Sequence, residues 1–155
     1  MMTPPFSLAE TWHLNNRANL MLLASLSPDQ LNHTPFPRAR SVADQFAHLH
    51  NVRIMWLEVQ MPEAAKSVSK IAKGTATKAS LREALEASAD AFAKMLAAAE
   101  NTGKLRSAKR GIYPFFAYAI AHEANHRGQI IAHLKHARRP VDRALGFALW
   151  EWEKI

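Results

Sequence analysis

The sequence predicts an all-α protein, a four-helix bundle with a short additional C-terminal helix. Three observations carry that prediction. Apolar residues recur at helical spacing through four long segments. No stretch of alternating apolar and polar residues is long enough to demand a strand. Only five glycines occur in 155 residues, too few for the many tight turns of an all-β chain. The length suits one domain, residues 1–155, with a core of its own.

The first helix is expected from about Ser7 to Leu26, with Leu8, Trp12, Leu20, Leu23 and Ala24 as its apolar stripe. In "LSPDQL" the chain breaks and restarts, Ser27 capping a turn whose first position is Pro28. "HTPFPRAR" is extended, because each proline disfavours helix in the residue before it. The second helix is capped by Ser41, with Asp44 closing a weak capping box, and it stops before Pro62. A polar, lysine-containing connector with Gly74 follows.

The third helix starts after Ser80 and is rich in alanine and leucine, both strong helix formers. Leu81, Leu85, Ala89, Phe92 and Leu96 share one face of it, and Gly103 ends it. The fourth runs from about Pro114 to Ala137, with Pro114 tolerated in its first turn and Pro140 as a stop signal. "DRALGFALWEWEKI" forms the short last helix, packing Leu145, Leu149 and Trp152.

Composition narrows the function before any motif does. Apolar residues make up 48% and charged residues 21%, the balance of a globular chain. Without cysteine, neither disulfides nor thiolate metal sites are possible, which is compatible with a reducing compartment. The opening "MMTPPFSLAETWH" lacks the basic start and apolar run of a secretory signal, and no segment approaches the roughly 18 apolar residues of a membrane span. A cytoplasmic protein with no membrane partner is expected. The net charge of +7 invites nucleic acid as a partner. The cations are spread, however, mostly over loops, with Lys66, Lys70, Lys73 and Lys78 before one helix, Lys104, Arg106, Lys109 and Arg110 before another, and Arg138, Arg139 and Arg143 after it, with no interleaved aromatics. Solvated loop charge explains them, and nucleic-acid binding is not expected.

The chemistry-bearing stretch is "YAIAHEANHRGQIIAHLK". His122 and His126 lie one helical turn apart on one face, so two imidazoles can take adjacent corners of a metal coordination sphere. The apolar surroundings favour neutral imidazoles, whose lone pairs suit a cation. His133 lies about 10 Å further along the axis and is read, with His136, as surface or supporting. In "FAHLHNVR" of the second helix, His48 and His50 point about 200° apart, so one ion cannot take both. Their apolar neighbours do not choose between them.

Two functions compete for this pattern. His122, Glu123 and His126 spell H-E-x-x-H, the zinc-peptidase helix with glutamate as general base. Its longer form fails in register, since Gly128 comes one position early and His133 one position late. Glu151 and Glu153 are the alternative third ligands, and no strand is available to hold a peptide. Glu123 points about 100° from His122, toward a neighbouring helix or solvent rather than the metal, and Arg127 points as far from His126, in a position to pair with a carboxylate. Gln129 sits nearer the ligand face as a supporting group, and Gly128 allows close helix packing. Trp56, Met55, Phe115 and Tyr118 either line a pocket over the ion or form ordinary core.

"HEANHRGQIIAHLK", preceded by a helix carrying "SVADQFAHLHNVRIMWLE", resembles the DinB-like (DinB/YfiT-like) family of metal-dependent proteins, and "FALWEW" is similar to the ending of one branch. The resemblance spans nearly the whole chain. It implies one metal ligand from the second helix and two from the fourth, matching His48, His122 and His126, with His48 preferred to His50 by its place in the pattern. It also implies a homodimer holding zinc, nickel or another divalent ion such as iron or copper. The ion would activate a low-molecular-weight thiol as cosubstrate in a thiol-dependent transferase or isomerase, or a water in a hydrolase, acting on a small-molecule substrate. A non-catalytic metal-binding or stress-response module is the alternative.

Overall fold

The computed structural model describes residues 6–155. The first five residues, part of the stretch judged above for a secretory signal, lie outside it. The elements in chain order are α1 (Leu8–Ser25), α2 (Pro28–Leu31), α3 (Val42–Gln60), α4 (Pro62–Ala65), α5 (Lys78–Thr102), α6 (Ile112–His136) and α7 (Arg143–Ala148), with a closing 3₁₀ turn at Trp152–Lys154. All regular structure among the described residues is helical, and α1, α3, α5 and α6 are the four long helices. α5 packs most extensively against α1 and α3, and α6 closes the bundle against the same two. No helix among the described residues is long and apolar enough to cross a membrane.

Local chemistry sets most of the boundaries. Ser7 and Glu10 form a full capping box on α1, and Ser27 and Gln30 form another on α2, where Pro28 takes the first turn. Each cap hydroxyl contributes about 1 kcal/mol. Gly103 ends α5 in the left-handed region at φ 67°, which glycine enters without a Cβ clash.

Two boundaries and one cap differ from the sequence expectation. α5 begins earlier, because Thr77 is its cap and Ser80 is the third helical residue, returning a hydrogen bond to the Thr77 N–H. α6 begins at Ile112 after Gly111, and Pro114 then falls where a helix has no partner for its N–H. Ser41 does cap α3, but Asp44 does not close a box. Its carboxylate accepts the Gly74 N–H at 2.8 Å and so ties the connector before α5 to α3. The short α4, with Pro62 in its first turn, was not anticipated.

The core has two apolar clusters. One gathers Leu22, Phe46, Leu49, Leu81, Leu85, Ile130 and Leu134. The other gathers Trp12, Leu57, Phe92, Leu96, Phe115 and Ala119. Each fully buried Leu or Phe contributes roughly 2–3 kcal/mol of transfer free energy. The expected face of α5 is buried throughout. On α1 the expectation was only partly right. Trp12 and Leu23 are buried, Leu8 and Leu20 are half-buried, and Ala24 is exposed. Asn15, Asn16 and Asn19 are buried instead.

Those asparagines belong to a polar layer that every long helix supplies between the two clusters. α3 contributes Arg53, between Leu49 and Leu57, α5 contributes Ser88, and α6 contributes Glu123 and Arg127. At the C-terminal end Leu149 joins the core and Leu145 packs against it. Trp152 is only half-buried and donates its indole N–H to the Leu149 carbonyl.

Candidate metal centre

α3 and α6 build the centre between them. His122 and His126 follow each other by one turn on α6, with ring centroids 4.7 Å apart. His48 reaches across from α3, 5.5 Å from His122 and 4.8 Å from His126. One possible ligand atom from each of the three lies within 4.8 Å of the other two. Among the described residues no other such group of histidines or carboxylates occurs.

All three rings are held neutral. Burial lowers the His126 pKa to about 4, with further depression from His122, His48 and Arg40 that Glu123 only partly opposes. Burial also lowers His48, helped by Arg40 and His122, and it lowers His122 against the pull of Glu123. Three neutral imidazoles crowded at one place are a donor set that fits a divalent cation.

The orientation of His126 is fixed from α3. Its Nδ1–H donates to Gln45 Oε1 at 2.9 Å, which leaves Nε2 with the free lone pair. Sequence reasoning missed Gln45 and named Gln129. Gln129 is exposed on α6, and Gln45, one turn before His48, takes the supporting place. A glutamine three residues before a histidine carries no motif, so only the packing of α3 on α6 shows its role.

His50 points away from the centre. It is buried, and its Nε2–H donates to the Ser69 carbonyl at 2.8 Å, anchoring the connector after α4. His133 is half-buried, with its ring edge-on to Phe36, and His136 is exposed. Gly128 is exposed, with open space where a Cβ would lie, so the expected close helix packing there is wrong.

Glu123 is the most constrained acid in the chain. Arg53 donates to both of its oxygens, Nε at 2.7 Å and Nη2 at 2.9 Å. Asn15 and Asn19 each donate to Oε2 at 2.7 Å. Burial alone would raise its pKa, but Arg53 and the asparagine donors hold it below the usual carboxylate range. Both oxygens are engaged by these donors and buried, which disfavours Glu123 as the general base that the H-E-x-x-H reading needs. Glu151 and Glu153 are exposed at the C-terminal end and do not join the histidine group.

Arg127 donates to the side-chain carbonyls of Asn15 and Asn19, so it meets Glu123 through two amides rather than directly. Arg53 also reaches Asn16, Ser88 and the Leu85 carbonyl, and its guanidinium lies 5.0 Å over the Trp12 ring. The "HLNNRANL" run supplies the three amides of this layer, in a helix that also carries Glu10, His13 and Arg17, so the amides do not stand out in the sequence.

Of the aromatic residues named from the sequence, Phe115 is core, stacked on Phe92. Met55 is exposed. Trp56 and Tyr118 stand edge to face at 5.9 Å, and Tyr118 stacks on His122 at 6.1 Å, giving the centre an aromatic wall on one side. Toward the start of α3 lies a cleft of about 510 Å³ that meets the centre through Gln45, with none of the three histidines in its lining. The wider clefts beside Lys78 and Lys104 contain no histidine.

The comparisons with known proteins agree with this architecture. The model of the DinB family matches residues 1–144, which includes the four long helices and all three histidines of the candidate centre. No curated protein and no solved structure matches the chain significantly. A family match over that span, on a four-helix bundle with this histidine placement, identifies the chain as a member of the DinB family.

Proposed function

We propose that the protein binds one divalent metal ion, zinc or nickel foremost, through His48, His122 and His126, and acts on a small-molecule substrate with a low-molecular-weight thiol as cosubstrate. The observation that carries this reading is the convergence of three neutral imidazoles between α3 and α6, one of them set in its tautomer by Gln45. When bound, such an ion lowers the pKa of a thiol or water and supplies a nucleophile near neutral pH. The chain has no cysteine, so any thiol must come from outside.

The chain's own groups divide the remaining work. Gln45 holds the His126 ring with Nε2 turned from its hydrogen-bonded side. Glu123 keeps the α6 backbone in register with α1 and α3 through Arg53 and the two asparagines, and so fixes His122 beside it. Trp56 and Tyr118 exclude water from one side of the histidines and offer an apolar surface to a substrate.

The test is the visible spectrum of the cobalt(II)-loaded full chain during addition of 2-mercaptoethanol. A saturable spectral change, absent in His126→Ala, is expected. A spectrum that never responds would reject thiol binding at the centre.

A further inference from the structure

We infer that the cleft on the α3 side of the centre binds an acidic group, carboxylate or phosphate, of the substrate or cosubstrate, with Arg38 and Arg40 as its principal donors. This rests on the metal-and-thiol reading above and deepens it, because it names the class of molecule the centre takes.

Charge balance comes first. Imidazole ligands carry no negative charge, so three histidines cancel none of the charge of a bound cation. The layer behind them adds positive charge. Glu123 is matched by Arg53, while Arg127 has only amide partners. Asp44, the acid at the start of α3, is turned to the Gly74 N–H. A neutral ligand would leave this excess uncompensated in a half-buried place, whereas an anionic one balances it.

The cleft is built for such a ligand. Arg38, Arg40, Lys73, Gln45, Gln129 and His133 line it, and no acidic residue does. Among the described residues Arg38, Arg40 and Lys73 make no ion pair and no side-chain hydrogen bond, unlike Lys66, Lys70, Arg82 and Lys154, which each find a glutamate. The cations come from separate segments. Arg38 and Arg40 precede α3, and Lys73 sits in the connector that Asp44 ties to α3 through Gly74. Arg38 holds φ at 67°, a conformation that a side chain with a Cβ seldom adopts. Gln45 belongs to both places, as it lines the cleft and accepts from His126. A guanidinium fork matches carboxylate and phosphate oxygens alike.

The experiment uses two thiols with the same two-carbon reach, 2-mercaptoethanol and 3-mercaptopropionate, titrated into cobalt(II)-loaded protein. The carboxylate-bearing thiol should bind about tenfold tighter, the worth of a charge-assisted contact. In the double variant Arg38→Gln with Arg40→Gln that preference should fall to about twofold or less. Comparing the ratio between proteins cancels the intrinsic difference between the two thiols, and unchanged cobalt content and circular dichroism show that the variant is folded and loaded. Equal binding of the two thiols by the wild type, or a preference that survives in the double variant, would overturn the inference while leaving the thiol reading intact. A spectrum that responds to neither thiol overturns the thiol reading and the inference together. Inorganic phosphate and acetate, added separately as competitors, distinguish the two ligand sources. Stronger suppression of the preference by phosphate assigns the cleft to phosphate-bearing molecules, stronger suppression by acetate to carboxylates, and each supports the inference.

Discussion

At the residue scale the candidate centre contains one glutamine beside its three histidines. Gln45 accepts the Nδ1–H of His126 and thereby selects which nitrogen can ligate. Supporting groups of this kind typically change metal affinity 10- to 100-fold when removed. Gln45→Leu should therefore weaken zinc binding by about tenfold or more in competition with a chromophoric chelator. Gln45→Glu, which keeps an acceptor, should hold the affinity near wild type. Equal affinities for wild type and the leucine variant would show that the hydrogen bond does not orient the ring. The histidines themselves were legible to different degrees. The spacing of His122 and His126 was plain, because four residues is one helical turn. His48 and His50 have similar apolar neighbours, so their own surroundings could not separate them, and the choice of His48 came from the family resemblance. Gln45 stayed hidden because its role exists only across two helices.

At the element scale, the signals that were readable were those carried by the backbone's own needs. Ser27 with Pro28, Ser41 and Gly103 mark ends that hydrogen bonding and φ fix locally. The starts of α5 and α6 were placed late. Thr77 and Ser80 are interchangeable as caps on sequence grounds, and a proline can fall anywhere in a first turn. The buried face of α1 was misjudged for a different reason. Apolar periodicity finds faces that pack on carbon, and α1 turns three asparagines inward. A polar residue reads as exposed until a buried charge is known to need it. Arg53 and Glu123 supply that need, and neither announces itself in sequence, since an arginine and a glutamate on amphipathic helices ordinarily face water.

At the scale of the whole molecule, the polar layer joins the four long helices through Asn16, Arg53, Ser88 and Glu123, one from each. The layer lies between two apolar clusters and ties α6, with two of the three histidines, to α1 and α3. Breaking a buried pair by removing one partner's charge typically costs about 3–5 kcal/mol. Glu123→Gln should accordingly lower the melting temperature by about 10 °C, given roughly 2–4 °C per kcal/mol for a chain of this size. The folded variant should still bind metal. A melting temperature within about 2 °C of wild type would show that the layer contributes little to stability.

The central claim is that His48, His122 and His126 together hold a metal. Elemental analysis of tag-free protein tests it most directly, with His48→Ala, His50→Ala, His122→Ala and His126→Ala purified alongside. The account predicts close to one equivalent of a divalent metal in the wild type and in His50→Ala, and little in the other three variants. A wild type without metal even after incubation with zinc and nickel would contradict it, as would greater metal loss in His50→Ala than in His48→Ala.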